Sequence, residues 1–323
     1  MRRSTKPQIA EREALRLLFY AASHSSTVAM FSALRLVASP VGAGVALSAA
    51  LSATSAVASC EGTVALSKKD FTPLKVVGNE KIGKDVHKIK VAFPNPSDSL
   101  GMVCAGMLMV EGKKRDGSDF LARPYTPVTR DDTKGYMELV VKDYAEGNVS
   151  SYICAKQPGE EIKVKGCFTK IKVEANKWGQ VGMVAGGSGL TPCLQVVEEL
   201  LSLENDKTQI TLIFCNKSED DIFLKKELDA LAEGSRGRFH VHYCVDAAAS
   251  GWGGLTGFVS PEMVAKYLPP PAPTTKIMVC GPPPMYTSIC GPKLFEAGKP
   301  PKQGPLSGIL KDLGYDEGMV FKF

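Results

Sequence analysis

The sequence has few of the residues that build metal centres or disulfide frameworks. Its nine cysteines form no C-x-x-C pair, and its four histidines are scattered along 323 residues. The common zinc modules have short, recurring Cys and His spacings, so this pattern excludes them. An odd number of cysteines, most of them in apolar runs, favours buried free thiols over disulfides. We therefore expect neither a metal site nor a disulfide scaffold.

The sequence also lacks a strong charge of either sign over most of its length. The formal net charge is +5, but residues 1–60 alone contain six basic and two acidic side chains. The rest of the chain is close to neutral, which argues against nucleic acid as a partner. With 44% hydrophobic residues, a chain of this length can form two globular domains.

Charged residues are missing altogether between Leu36 and Ser59. The run reaches the ~20 residues that cross a hydrocarbon core, but it is rich in Ala and Ser and contains Pro40. Three interpretations of residues 1–63 stay open: a cleaved mitochondrial presequence, a presequence followed by a membrane anchor, or a disordered tail. The arginines ahead of the run favour a mitochondrial address, either membrane-associated or in the intermembrane space.

Residues 64–175 show the patterns of short β-strands. Alternating or β-branched character occurs in five runs, at residues 74–77, 86–91, 137–142, 162–165 and 171–173. Gly, Asp, Asn and Pro separate these runs, so the segment predicts a small closed antiparallel barrel. One helical piece is predicted around residues 149–155.

Residues 178–323 alternate strands with helices instead. The predicted strands are residues 181–185, 209–214, 239–245, 276–280 and 319–323. Ser218 is expected to cap a helix that carries Leu224 and Leu228. Strand–helix alternation predicts a parallel sheet with helices on both faces, and ligands of such sheets bind beyond the carboxyl ends of the strands.

The first strand of this region runs into the turn Gly186-Gly187-Ser188-Gly189. Glycine lets the backbone approach a ligand closely and adopt positive φ. Thr191 is a favourable N-cap and Pro192 a favourable first helical residue. A strand, a glycine turn and a helix N-terminus together can receive a phosphate-bearing ligand. By itself the pattern fits an ordinary strand-to-helix turn equally well, because it matches neither G-x-G-x-x-G nor the P-loop.

Three further segments carry chemically informative residues. Arg123-Pro124-Tyr125-Thr126-Pro127 offers a guanidinium for phosphate and a phenol ring that can stack on a planar cofactor, although it also fits an edge strand ending at a proline. Gly147-Asn148-Val149-Ser150 is expected to begin a helix at which a serine meets a second phosphate. Cys280-Gly281-Pro282-Pro283-Pro284-Met285 follows a predicted strand, and its prolines hold Cys280 in a stiff turn.

In this order and at these separations, the motifs at residues 123–127, 186–192 and 280–285 resemble the NADH-cytochrome b5 reductase family of the ferredoxin-reductase superfamily. The ending, residues 304–323, is similar to the plant and fungal mitochondrial branch. The resemblance implies an antiparallel FAD-binding barrel domain over residues 64–175. It implies a Rossmann-like parallel-sheet NADH-binding domain over residues 178–323.

The resemblance also implies roles for individual residues. Arg123 would hold the FAD pyrophosphate, Tyr125 would lie against the isoalloxazine ring, and Thr126 would hydrogen-bond near its reactive nitrogen. Thr126 and Cys280 are the two residues expected beside the reacting atoms. The other residues implied for FAD are Pro124, Val140, Lys142, Tyr144, Gly147, Asn148, Val149, Ser150 and Thr191. Those implied for NADH are Gly186, Gly187, Gly189, Asp246, Cys280, Gly281, Pro282 and Met285.

Asp246 follows directly on the predicted strand 239–245, at the edge where a dinucleotide lies. A carboxylate there can accept hydrogen bonds from a ribose diol and repel the 2′-phosphate of NADPH. An aspartate at a strand end can equally cap the turn that follows. The resemblance favours the first interpretation.

The function that the resemblance implies is hydride transfer from NADH to FAD, followed by transfer of single electrons to cytochrome b5. Two alternatives stay open. The first is a related NADH-dependent flavoreductase that serves a quinone or another haem protein. The second is a flavin- or nucleotide-binding module without turnover. We expect the protein to be a monomer under each of these functions.

Overall fold

A computed structural model describes residues 63–296 and 299–323. The uncharged run Leu36–Ser59 lies outside the described residues, so its predicted role stays a prediction. Within the described part of the chain, no helix is both long and apolar enough to span a membrane. The eight cysteines described there are free thiols; six are buried, as expected, and Cys104 and Cys280 are partly exposed.

Six antiparallel strands form the first sheet. They are β1 (Thr72–Gly83), β2 (Val86–Ala92), β3 (Gly106–Lys113), β4 (Phe120–Tyr125), β5 (Tyr136–Lys142) and β6 (Glu161–Thr169). Their order is β4-β3-β6-β1-β2-β5. The two outer strands meet just beyond β4, where Pro127 bridges to Leu139 and the Val128 N–H donates to the Glu138 carbonyl over 2.9 Å. The predicted closed antiparallel barrel is therefore confirmed.

A short helix and an irregular segment complete this part of the chain. Helix α1 (Val149–Cys154) matches the predicted helical piece and packs against β3. Residues 171–173, however, are not the strand that their alternation predicts. The N–H groups of Lys170 and Ile171 both donate to the Ala105 carbonyl, at 2.8 and 3.4 Å. The backbone turns there across the start of β3, so it cannot extend the ladder of β6.

The second sheet is parallel throughout. Its strands are β7 (Gln180–Gly186), β8 (Gln209–Asn216), β9 (Phe239–Val245), β10 (Leu255–Thr256), β11 (Thr275–Cys280) and β12 (Val320–Lys322). Their order is β10-β9-β8-β7-β11-β12. The helices are α2 (Leu190–Ser202), α3 (Lys225–Gly234), α4 (Pro261–Tyr267), α5 (Pro283–Ile289) and α6 (Ile309–Asp312).

Helices cover both faces of this sheet, as predicted. Met183 of β7 faces a core that contains Leu194 of α2 and Leu228 of α3. The next residue, Val184, faces a second core with Ile289 of α5. Successive side chains of a strand point to opposite faces, so β7 is apolar on both sides. The first core also contains barrel residues such as Val140, so the two sheets share buried apolar surface.

Two predicted helix starts are wrong. Gly187–Gly189 forms a 3-10 turn and α2 begins at Leu190, so Thr191 lies inside the helix; its hydroxyl donates to the Ser188 carbonyl over 3.3 Å. Ser218 begins a separate 3-10 turn and donates to Asp221 over 2.8 Å. Helix α3 starts only after Leu224, whose φ of 54° is left-handed. In both places a tight turn takes up residues that the pattern assigned to the helix.

Candidate active site

The glycine turn after β7 and the Cys280 turn after β11 lie side by side. Cys280 pairs with Ala185, and the strand order reverses between these two strands. A Cβ at Gly189 would lie 2.2 Å from the Cys280 carbonyl oxygen, so no other residue type fits there without movement of the backbone. The two segments predicted to bind NADH therefore meet at the switch point of the sheet, where parallel sheets of this kind bind ligands.

Met285 closes the side of this turn. A Cβ at Gly186 would lie 2.7 Å from its methyl carbon, and one at Gly281 would lie 2.5 Å from its sulfur. Pro282 precedes α5, and the helix begins with Pro283, where an N–H is not needed. Gly187 has a φ of +52° and open space around the position of a Cβ. The turn is thus packed on one side and open at Gly187.

Cys280 borders the site as a neutral thiol. Burial raises its pKa to about 11, so the sulfur stays protonated at neutral pH. Tyr286, on α5, donates its hydroxyl to the Phe323 carbonyl over 2.9 Å and helps to fix this corner. That Cys280 lies beside the reacting atoms stays a prediction. At neutral pH it would border the site as an uncharged thiol.

The end of barrel strand β5 reaches the glycine turn. The Tyr144 hydroxyl and the Ser188 hydroxyl form a hydrogen bond of 2.8 Å. Lys142 pairs with Asp221 at 2.8 Å, and both side chains are largely buried, with 13% and 9% exposure. Two residues implied for FAD therefore contact the part of the chain implied for NADH.

Strand β4 presents the Arg-Pro-Tyr-Thr-Pro motif next to β3. Arg123 is exposed, and among the described residues its guanidinium makes one hydrogen bond, to the Ala122 carbonyl over 3.1 Å, and no ion pair. Tyr125 is half-buried, and burial raises its pKa, so the ring stays a neutral phenol. Thr126 follows the strand and is partly exposed. The motif offers an unpaired cation and a neutral aromatic ring on one barrel edge.

The segment before α1 packs tightly against the neighbouring strand. A Cβ at Gly112 of β3 would lie 3.0 Å from the Val149 Cα atom, and one at Gly147 would lie 2.0 Å from the Ser150 hydroxyl. The Asn148 side chain makes no bond to the helix and accepts one from the Arg115 N–H over 2.9 Å. This places the predicted pyrophosphate segment beside β3, the strand that also pairs with Arg123.

Asp246 lies at the same sheet edge but apart from the glycine turn. It is exposed at the end of β9, and β8 separates it from β7. Neighbouring strands are about 4.8 Å apart, so roughly 10 Å separates the two positions. An extended dinucleotide can span that distance, whereas a small phosphate ligand cannot.

Asn216 is a further candidate site residue, which none of the sequence motifs indicated. It ends β8 between the glycine turn and Asp246, and it is 6% exposed. In the described residues neither its amide nitrogen nor its amide oxygen has a hydrogen-bond partner. Buried polar groups almost always have partners, so this amide fits a polar ligand at the sheet edge. The signal in the sequence was an amide directly after the apolar run Ile213-Phe214-Cys215.

These features fit the two groups that the resemblance implies. The glycine turn and the unpartnered Asn216 amide suit a dinucleotide along the edge of the parallel sheet. The unpaired Arg123 and the Tyr125 ring suit a flavin and its phosphates along the barrel edge. Tyr144 and Ser188 show where the two places meet.

Family models and known relatives match both sheets. Residues 73–173 match the oxidoreductase FAD-binding domain, and residues 183–291 match the oxidoreductase NAD-binding domain. NADH-cytochrome b5 reductase 2 of Scheffersomyces stipitis is 39% identical over 254 residues, which cover 79% of this chain and 84% of that protein. The NADH-cytochrome b5 reductase-like protein of Arabidopsis thaliana is 38% identical over 80% of this chain and 78% of its own length.

A solved structure shows the same architecture. The cytochrome b5 reductase domain of Ulva prolifera nitrate reductase superimposes with a TM-score of 0.67 and 28% identity. The match covers 80% of this chain and all of that one. With both cofactor domains, their order and the relatives in agreement, the chain belongs to the NADH-cytochrome b5 reductase family.

Proposed function

We propose that the chain is an enzyme that transfers electrons from NADH through FAD to cytochrome b5. The observation that carries this is the contact between Tyr144 and Ser188, because it joins the flavin strand to the NADH turn. Hydride transfer requires donor and acceptor to lie within roughly 3.5 Å, so the two binding places must adjoin. When bound, FAD takes up two electrons from NADH and releases them one at a time.

In this function the side chains of the site hold the cofactors in place and shield them. They do not exchange protons with them. Arg123 is free to pair with a diphosphate, and the glycine turn lets backbone N–H groups approach a second one. Tyr125 and Cys280 both stay neutral near pH 7, because burial raises their pKa values. Hydride transfer removes no proton from the protein, so no general base is needed.

The identity of the electron acceptor distinguishes this function from that of a related flavoreductase. Two relatives are named as cytochrome b5 reductases or similar to them, which supports cytochrome b5 as the partner. The test is NADH oxidation by purified enzyme with cytochrome b5, a short-chain quinone or ferricyanide as acceptor. We expect efficient turnover with cytochrome b5 and ferricyanide. Turnover with the quinone but not with cytochrome b5 would favour the related flavoreductase.

We further predict a strong preference for NADH over NADPH that depends on Asp246. Its carboxylate is exposed at the dinucleotide edge, where it can accept hydrogen bonds from the ribose diol and repel a 2′-phosphate. Asp246→Thr should raise the NADPH/NADH ratio of kcat/KM by at least about tenfold, or about 1.4 kcal/mol. Steady-state kinetics with both coenzymes measures the ratio. An unchanged ratio would leave Asp246 as a turn residue.

We also propose a mitochondrial address for the enzyme. Residues 1–60 supply the support: several arginines precede the uncharged run Leu36–Ser59, which would act as an anchor or a sorting signal. A fluorescent protein fused to residues 1–60 should co-localise with mitochondria and resist carbonate extraction if the run is an anchor. A cytosolic fusion would contradict the address.

A further inference from the structure

Gln195 of α2 joins the parallel sheet to two separate segments of the barrel. Its amide oxygen accepts a hydrogen bond from the Gly106 N–H over 3.2 Å, and its amide nitrogen donates to the Pro127 carbonyl over 2.9 Å. The Gln195 backbone carbonyl also accepts from the Cys104 thiol over 3.4 Å. Gln195 is buried, with 7% exposure. The oxygen and the nitrogen of this buried amide both form hydrogen bonds to backbone groups distant in sequence. The side chain therefore connects specific atoms and does more than fill space in the core.

The two barrel segments that Gln195 holds are those nearest the flavin motif. Pro127 is the last residue of Arg-Pro-Tyr-Thr-Pro, two positions after Tyr125. Pro127 also bridges to Leu139 of β5, so it closes the barrel at this point. Gly106 begins β3, whose Leu108 pairs with Tyr125. Gln195 therefore contacts the chain just beyond the end of β4, through Pro127, and the neighbouring strand β3, through Gly106.

On the other side, Gln195 is fixed to the glycine turn. Helix α2 starts at Leu190 directly after that turn. Thr191 lies one helical turn before Gln195 on the same face and is also buried, at 6% exposure. A helix is stiff over one turn, so the position of Gln195 sets the position of Thr191 and of the glycine turn.

We propose that Gln195 is a positioning residue: its amide fixes the NADH turn against the barrel strand that carries Tyr125 and Thr126. The kinetic part of this inference rests on the proposed function. Hydride transfer depends steeply on the placement of donor and acceptor, and a shift of about 1 Å can lower the rate about 100-fold. Loss of the two hydrogen bonds should slow flavin reduction without removing any group that contacts FAD or NADH.

The test uses Gln195→Met and Gln195→Leu in the full chain. Methionine keeps the unbranched shape and volume of glutamine but cannot form the two hydrogen bonds, so the fold should persist. We expect anaerobic flavin reduction by NADH to slow by about 10- to 100-fold, with KM for NADH and FAD content within about twofold of wild type. The Gly106 amide should exchange with deuterium at least about tenfold faster, because its acceptor is gone.

Leu200→Val is the matched control. Leu200 is fully buried in the same helix and contributes to the core of the parallel sheet, and its side chain is apolar. It should lower thermal stability while leaving both the reduction rate and Gly106 exchange near wild type. Reduction rates within about twofold of wild type in both Gln195 variants would overturn the proposal. If NADH fails to reduce the wild-type flavin, the proposed function is wrong. Deuterium exchange at the Gly106 amide then still tests whether Gln195 connects the parallel sheet to the barrel.

Discussion

An Arg123→Ala variant is expected to purify with most of its flavin missing. Arg123 lies on β4 beside the Tyr125 ring, and its guanidinium has no ion-pair partner in residues 63–296 and 299–323. Hydrogen bonds between charged groups contribute about 1.5–3 kcal/mol each. Loss of a two-pronged contact worth about 3 kcal/mol weakens FAD binding about 100-fold. The ratio of flavin to protein absorbance after gel filtration measures the loss.

Arg130→Ala is the control for this variant. Arg130 follows the same motif, is similarly exposed and, among the described residues, forms an ion pair only with the neighbouring Asp132 at 3.4 Å. It should keep its flavin. Both changes remove an exposed side chain, so neither should lower the melting temperature of the apoprotein by much. Full flavin occupancy in Arg123→Ala at low protein concentration would show that the FAD pyrophosphate is held elsewhere.

Gly189→Ala should abolish most NADH-dependent reduction while the protein keeps its FAD. The added Cβ would lie 2.2 Å from the Cys280 carbonyl oxygen, which is backbone and cannot rotate away. The two turns must therefore move apart, at a cost in stability of about 1–3 kcal/mol. Because the proposed function places the nicotinamide beside both turns, we expect the rate of flavin reduction to fall about 100-fold. Stopped-flow absorbance and thermal unfolding measure the two effects.

Gly234→Ala is the matched glycine control. Gly234 ends α3, and among the described residues no atom outside its own helix and chain neighbours lies within 4 Å of its ideal Cβ position. Alanine there should leave the reduction rate unchanged and should not destabilise the protein, because it restricts the unfolded chain. If Gly189→Ala behaves like Gly234→Ala, the close approach of the two turns is not a constraint on the site.

The main sheet elements could be predicted because their residues carry strong local signals. Strand β9 begins and ends where its alternation indicates, and the glycine turn lies directly after β7. The start of α2 could not be placed, since the glycines themselves form a 3-10 turn. Strand β3 was missed because Gly-Met-Leu-Met-Val-Glu-Gly-Lys lacks a clear β-branched alternation. Helix α5 was missed because its opening prolines are typical of a turn, although they also suit the first helical turn.

The connections between the sheets had no local signal at all. Gln195 is 89 residues from Gly106 and 68 from Pro127 in sequence, so only the folded chain shows that they meet. The same holds for Tyr144 and Ser188, which are 44 residues apart. Asn216 carried a weak signal, an amide after an apolar strand, but its lack of partners is a property of the fold. The sequence motifs thus indicated candidate site residues, and the structure shows which of them lie together.

The most direct test of the central claim follows electrons through the purified protein without oxygen. One equivalent of NADH is added to the FAD-loaded enzyme, and the flavin absorbance is recorded; oxidised cytochrome b5 is then added. We expect that NADH bleaches the flavin, that cytochrome b5 restores its absorbance, and that each NADH reduces two cytochrome molecules. A flavin that NADH does not bleach, or a reduced flavin that cytochrome b5 leaves bleached, would contradict it.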